Sequence, residues 1–338
     1  MNTTILLVSC GFDKTPTPAS LGLEFVLMAA VLLGIAWLAR LCDRWPLRLG
    51  VMAVAVLLFE LFTAPMWDNL HLGWWAYLYQ DVSWILTLGW SVLLLLVVAL
   101  VDRLLPRWRE WKRFLLVLLL LDLLVVPLEI ALVAAGVRGY APEVRAAVVG
   151  GTLAGVPLEM LYYVPVFSGL LIAFYKYWML ALDNSLLIPV RRLHWLRGFV
   201  LATVAVLLFE LMVEPMVMNR GFPAWSYLYR DISLVMTGVW ILVIAVAALV
   251  VERLGLEQPT PVRYLLALMV ATAIALPIEY GLYLTGFRVY GPSAVANFTG
   301  FRIAILEAPI EIAFAIPCYL ALMIAFIRYW EICLDNHL

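Results

Sequence analysis

The sequence predicts an all-α fold, a polytopic membrane helical bundle of about nine transmembrane helices: two parallel four-helix repeats plus one N-terminal helix. Three observations predict it. Apolar residues make up 66% of the 338 residues, with a mean hydropathy of +1.02. Leu-rich runs of about twenty residues recur along the chain, the length a helix needs to cross a bilayer, whereas barrel strands would read as short alternating segments. Finally, the chain contains itself twice: residues 54–61 recur letter for letter as 204–211, at an offset of 150. A fixed internal period is the mark of a duplicated structural unit.

The elements follow in order. Residues 1–46 hold a tail and one span, about 22–40, outside the repeat. The first repeat, 47–197, holds spans at about 47–64, 82–101, 114–136 and 151–181; the second, 198–338, holds them at about 198–216, 232–251, 263–286 and 301–332. An even number of spans per repeat inserts both copies in the same orientation. Arg40, Arg44 and Arg48 follow the first span, Arg103, Arg107, Arg109, Lys112 and Arg113 the third, and Arg191, Arg192 and Arg197 the fifth. The alternate loops hold only Arg138 and Arg145, Arg220 and Arg230, and Arg288 and Arg302. The positive-inside rule then puts the C-terminus in the cytoplasm and the N-terminus outside, with the plasma membrane as the expected location. The outer loops carry Trp67, Trp74, Trp75, Tyr77, Tyr79, Trp225, Tyr227 and Tyr229, an expected interfacial aromatic belt.

Composition narrows the function. A net charge of −1 gives no case for nucleic acid. Cys10, Cys42, Cys318 and Cys333 show no CxxC spacing, so neither a disulfide framework nor a zinc site is expected. His71, His194 and His337 fall in loops or the tail, which argues against haem and di-iron chemistry, and no GxGxxG follows a strand. No cofactor is expected. Residues 7–10 resemble a lipoprotein cleavage box, but no basic residue precedes them, and processing there is not expected. The expected partners are membrane lipid and an apolar polyene or lipid-like ligand; whether copies associate as a homo-oligomer is left open.

The offset shows what both copies kept. Pro65, Asn69, Trp75, Tyr77, Tyr79 and Asp81 recur as Pro215, Asn219, Trp225, Tyr227, Tyr229 and Asp231. Pro127 and Glu129 recur as Pro277 and Glu279, and Gly136, Arg138, Tyr140 and Pro142 as Gly286, Arg288, Tyr290 and Pro292. After a two-residue slip, Pro157, Glu159 and Pro165 map onto Pro309, Glu311 and Pro317. Glu60, Glu129, Glu159, Glu210, Glu279 and Glu311 thus fall in apolar spans. An acid at the bilayer centre costs about 2.5–3.5 kcal/mol on insertion scales, so such residues are usually functional or paired. Counted from the expected helix ends, Glu129, Glu279 and Glu159 lie about 10–12 Å deep at the helical rise, Glu60 and Glu210 shallower and Glu311 deeper. Cations are scarce at that depth, with Arg302, Arg138 and Arg288 reaching in from the rim, so most of these glutamates are expected to be protonated or hydrogen-bonded. Four follow a proline by two residues, which kinks a helix and frees a carbonyl. The bland alternative is a structural clamp, with Glu159–Tyr163 and Glu279–Tyr283 bonded at i,i+4 spacing.

The run from Gly136 through Tyr140 to Pro142, followed by Gly150, Gly151, Pro157, Glu159 and Pro165, resembles the membrane-embedded lycopene cyclases of the heterodimeric bacterial and fused archaeal or fungal kind. The same frame appears in Gly286, Tyr290, Pro292, Pro309, Glu311 and Pro317, and Trp67-Asp68-Asn69 with Trp74 and Trp75 resembles the family's Trp-Asp segment. The resemblance implies a bundle of repeated membrane helices and redox-neutral cyclisation of lycopene ends. It places the motif glutamates on Glu159 and Glu311, with Glu129 and Glu279 as weaker matches. The family's second motif acid is Met160 in one copy and Ile312 in the other, which puts the reaction itself in doubt.

Two readings result. In the first, an isoprenoid or carotenoid cyclase-like isomerase uses Glu159, Glu311, Glu129 or Glu279 to protonate a terminal alkene. Glu60, Glu210, Tyr162, Tyr163, Tyr283, Trp75 and Trp225 would line the substrate, the rings stabilising a cation. In the second, the glutamates form a repeat-interface site in a non-enzymatic carrier or binding protein. The copies also differ: Tyr162 and Tyr163 become Phe314 and Ala315, while Ile130 and Val133 become Tyr280 and Tyr283. Such divergence favours one asymmetric ligand site between the halves over a symmetric clamp.

Overall fold

A computed structural model describes residues 14–147, 151–183, 195–255, 257–303 and 309–336. Cys10 with its neighbours, Gly150, Asn184, Arg191, Arg192, His194 and His337 lie outside the described residues. Among the described residues, nine helices are long and apolar enough to cross a membrane. They are α1 (Pro18–Leu41), α2 (Trp45–Thr63), α3 (Trp84–Leu104), α4 (Glu110–Ala134), α6 (Met160–Leu182), α7 (Trp195–Val213), α8 (Leu234–Leu254), α9 (Thr260–Leu284) and α11 (Ile310–Asp335). Two short helices, α5 (Pro142–Ala147) and α10 (Pro292–Ala296), sit in loops. The protein is an all-α bundle of membrane type.

Burial sorts the helices into a centre and a rim. Of the apolar window of α6 and of α11, 72% is buried, against 22% for α1 and α9, so α6 and α11 form the axis against which the others pack. α1 lies along α3, and a Cβ on Gly34 would collide with Val92. Small residues at such crossings let membrane helices approach closely. At the end away from the hairpins, Lys176 and Arg113 converge on buried Glu110, to which Tyr329 also donates, tying α4, α6 and α11 together.

All the strands lie at the opposite end, and they fix the loops in register. β1 (Trp67–Asn69) pairs antiparallel with β4 (Arg138–Tyr140), matching Trp67 with Tyr140 and Asn69 with Arg138. β2 (Tyr77–Tyr79) pairs with β3 (Val82–Ser83), and β5 (Thr152–Leu153) with β6 (Val156–Pro157). In the second copy β7 (Val217–Asn219) pairs with β10 (Arg288–Tyr290), matching Val217 with Tyr290 and Asn219 with Arg288, and β8 (Tyr227–Tyr229) pairs with β9 (Ile232–Ser233). Gly136 and Gly286, at φ +71° and +77°, end α4 and α9 in the left-handed conformation that glycine adopts without steric cost, and the chain turns directly into β4 and β10.

Two expected helix starts are corrected. Residues 151–159 are not helical: Ala154 and Gly155 take φ +50° and +84°, a tight turn between β5 and β6, and the helix begins at Met160. The expected span from 301 likewise begins at Ile310, after Pro309 bridges to Arg302. Pro157 and Pro309 therefore precede their helices, while Pro127 and Pro277 lie inside α4 and α9. The depth estimates change with them. Glu159 is the residue before α6, Glu311 is in the first turn of α11, and Glu129 and Glu279 lie five residues from the ends of α4 and α9.

Candidate functional site

The ladder register builds a polar cluster in each copy. Asn69 and Arg138 face each other across β1 and β4, and Arg138 Nη1 donates to Asn69 Oδ1. Asn69 Nδ2 donates to the Asp81 carbonyl at 2.8 Å, and Tyr77 OH donates to the Asn69 carbonyl at 2.6 Å. The same guanidinium holds Glu129 on α4, Nε to Oε2 at 3.2 Å and Nη2 to Oε1 at 3.3 Å, and Tyr140 OH donates to Oε2 at 2.9 Å. Both ions are buried. Because Arg138 is neutralised by a two-point contact and Glu129 accepts from three donor groups, this pair meets the conditions under which buried charges are tolerated.

The second copy repeats the cluster residue for residue. Arg288 Nε contacts Glu279 Oε1 at 2.9 Å and Oε2 at 3.1 Å, and Arg288 Nη1 donates to Asn219 Oδ1 at 2.6 Å. Tyr290 OH donates to Glu279 Oε1 at 2.6 Å, and Asn219 Nδ2 to the Asp231 carbonyl at 2.7 Å. Two of the three cations expected to reach in from the rim do so: strand pairing carries Arg138 and Arg288 inward to Glu129 and Glu279, which are therefore ion-paired. The expected i,i+4 partner is corrected. Glu279 is bonded by Tyr290 from the strand, and Tyr283 packs its ring on Tyr290 with centroids 5.8 Å apart.

Glu60 and Glu210 are built differently. Each projects from the last turn of its helix, α2 or α7, and accepts a hydrogen bond from a threonine one helix on: Thr87 to Glu60, and Thr237 to Glu210 at 2.5 Å. Neither makes an ion pair within 4.0 Å among the described residues. Each copy thus sets a carboxyl bonded only by a hydroxyl beside a carboxylate locked to arginine.

A cavity opens on each cluster, and the two are unequal. In the first copy about 500 Å³, mouth included, is lined by Glu60, Glu129, Trp90, Met160, Tyr163 and Phe167. In the second, about 990 Å³ including its mouth is lined by Glu210, Glu279, Glu311, Trp240, Ala315 and Tyr319, with Phe62, Tyr79 and Gln80 entering from the first copy. Substitution explains the difference. Tyr163, 3% exposed, fills the place that Ala315 leaves open, and Phe167 stands where the second copy has Tyr319. Tyr79 meets Phe314 with centroids 5.8 Å apart, and Gln80 donates to the Asn297 carbonyl, so the first copy's hairpin forms one wall of the larger cavity.

The chain matches no protein-family model, no curated protein and no solved structure. The resemblance to the cyclases therefore stands on the motif residues themselves, and their placement is mixed. Glu311 lines the larger cavity and accepts from Thr299 N at 2.7 Å and Thr299 Oγ1 at 2.5 Å. Glu159 lines neither cavity; partial burial pushes its carboxyl up from the usual carboxylate range. Tyr162 donates to the Leu208 carbonyl at 2.8 Å, bracing α6 against α7. Trp75 and Trp225 are exposed on the hairpins, away from both cavities, and Trp75 packs on Trp84.

Several residues of the clusters were not singled out as site residues in the sequence. Asn69, Arg138 and Tyr140 with their partners Asn219, Arg288 and Tyr290 were visible as kept positions, but nothing local said they point at a glutamate. Thr87 and Thr237, and Trp90 and Trp240, also sit at the 150-residue offset and could have been found by it. Tyr319 could not, since its counterpart is a phenylalanine. Among the described residues no group of His, Cys, Asp or Glu has the geometry to hold a metal ion.

Proposed function

We propose that this chain is a cyclase-like isomerase of isoprenoids in the plasma membrane, working in the larger cavity with its hairpin end facing outside. The single observation that carries this reading is a cavity of about 990 Å³ including its open mouth, walled by both copies, in which Glu210 faces an aromatic lining with Thr237 as its hydrogen-bond partner. A largely apolar cavity with a few convergent polar groups is the usual form of a small-molecule site. The basic loops at the opposite end support the orientation.

The chemistry follows from the unequal carboxyls. Glu210, in its acid form, gives its proton to a terminal alkene carbon, leaving a carbocation on the substrate. Attack by a second double bond closes a ring and moves the positive charge onto it, and loss of a neighbouring proton to the Glu210 carboxylate regenerates the acid. Atoms and electrons balance without an oxidant, so the product is an isomer of the substrate. The rings of Phe209, Trp240 and Tyr319 stabilise the cation, each by about 0.5–2 kcal/mol. Glu279, held by Arg288 and Tyr290, is a fixed negative charge beside the ring-closing carbon.

This arrangement also bears on the missing motif acid. Ile312 occupies the position of the family's second acid and lines the cavity together with Glu210, which comes from α7. A carboxyl from a neighbouring helix thus supplies what the motif lacks.

The test is to incubate membranes carrying the protein with lycopene and with C20 isoprenoids in deuterated water. A product of unchanged elemental composition carrying solvent deuterium, absent for Glu210→Gln and present for Glu60→Gln, supports the reading. Substrates that bind and are recovered unlabelled would sink the chemistry and favour a carrier or binding protein.

A further inference from the structure

We infer that the larger cavity takes an isoprenoid whose enclosed end carries a hydroxyl group, not a pure hydrocarbon; this rests on that cavity being the working site. Among the described residues, the lining holds three buried polar atoms without a hydrogen-bond partner: Glu210 Oε1, Glu311 Oε2 and the Tyr319 hydroxyl. Their residues are 7%, 8% and 6% exposed. Native interiors satisfy nearly all such groups, and an exception at a cavity wall points to what the cavity receives.

The first copy provides the contrast. Phe167 stands in place of Tyr319 and brings no hydroxyl, and Glu159, the counterpart of Glu311, does not line the smaller cavity. Of the three, only the Tyr319 hydroxyl is new to the second copy; Glu210 repeats Glu60, and Glu311 repeats Glu159, whose Oε2 is also unpartnered among the described residues but does not line the smaller cavity. None of the three belongs to the shared glutamate–arginine scaffold, whose groups are paired in both copies.

The pattern of donors and acceptors selects among ligand ends. An alcohol oxygen accepts from Tyr319 while its hydrogen goes to Glu311 Oε2, so one group satisfies both and Glu210 keeps its proton for the alkene. A ketone or ether accepts only, and a hydrocarbon satisfies neither. A phosphate would set its charge among Glu210, Glu279 and Glu311, and the cavity's arginine, Arg288, is already engaged by Glu279 and Asn219. An ammonium would meet carboxyls but would give up its hydration in a mostly apolar lining, where a neutral alcohol loses far less.

The experiment uses the full chain in lipid nanodiscs and three C20 probes: geranylgeraniol, the hydrocarbon with a methyl group in place of its CH2OH, and geranylgeranylamine. Affinity is read by displacement of a fluorescent polyene. The alcohol is expected to bind about tenfold or more tightly than the hydrocarbon. Tyr319→Phe is expected to bring the two within about threefold, with its folding checked separately by thermal unfolding; a folded Tyr319→Phe that keeps the tenfold preference would overturn the inference. Equal affinities for alcohol and hydrocarbon in the wild type, or tighter binding of the amine, would overturn the hydroxyl inference and leave the isoprenoid site standing. Failure of all three probes to bind would overturn both.

Discussion

The two carboxyl clusters are built from the same residues, yet the cavity on one is about half the size of the cavity on the other. Around Glu60 and Glu129, Tyr163 and Phe167 fill the space, and every wall of the smaller cavity comes from the first copy. Around Glu210 and Glu279 the equivalent positions are Ala315 and Tyr319, and the other copy's hairpin completes the wall. The lesson is a division of labour after duplication. The threonine, asparagine, arginine and tyrosine that hold the acids were retained in both copies because an unpaired charge at this level is costly. On the proposed reading, the lining diverged because only one cavity admits a ligand.

If the scaffold is structural in both copies, removing its cation should hurt both alike. Arg138→Met and Arg288→Met each strand a buried glutamate, and each is expected to cost about 3–5 kcal/mol, read as loss of folded protein in thermal unfolding in detergent. Tolerance of one and not the other would break the comparison. Next in size is Tyr163→Ala, which empties the filled site and is expected to cost about 3 kcal/mol through the cavity left behind. A much smaller cost would mean that the first-copy site is not packed as tightly as its burial indicates.

A third difference lies in the hairpins. Asp81 is buried with both carboxyl oxygens unpartnered, and burial pushes its carboxyl up to about 8, whereas Asp231 is only partly buried. The folded chain therefore holds a proton that the unfolded chain releases near pH 4, and stability falls as the pH rises from about 4 to about 8. Between pH 6 and 8 the loss is expected to reach about 2 kcal/mol. Asp81→Asn should flatten this part of the pH–stability curve and Asp231→Asn should change it less. A curve unaltered by Asp81→Asn would show that the carboxyl is solvated.

Much of this was legible in the sequence, and the parts that were not have physical causes. Nine spans follow from hydropathy alone, because a bilayer admits few other solutions. Arg138 and Arg288 were legible as cations reaching in from the rim, but not which glutamate each meets: Arg138 is nine residues from Glu129, and only the β1–β4 register turns it back toward α4. The helix starts at Met160 and Ile310 were misplaced because apolar content continues through the preceding hairpin and bridge, where Gly155, Pro157 and Pro309 end the regular pattern. The asymmetry of the copies was readable as Tyr163 against Ala315. That this exchange opens a cavity emerged only once α6 and α11 were seen at the centre of the bundle.

The central claim is that the cavity between the copies is the working site and its first-copy counterpart is not. The most direct measurement is the affinity of an isoprenoid probe for Ala315→Tyr, which restores at the larger cavity the ring that narrows the other. The expected result is a loss of more than about tenfold in affinity with unfolding temperature unchanged or raised. Wild-type affinity in a folded Ala315→Tyr protein would contradict the claim.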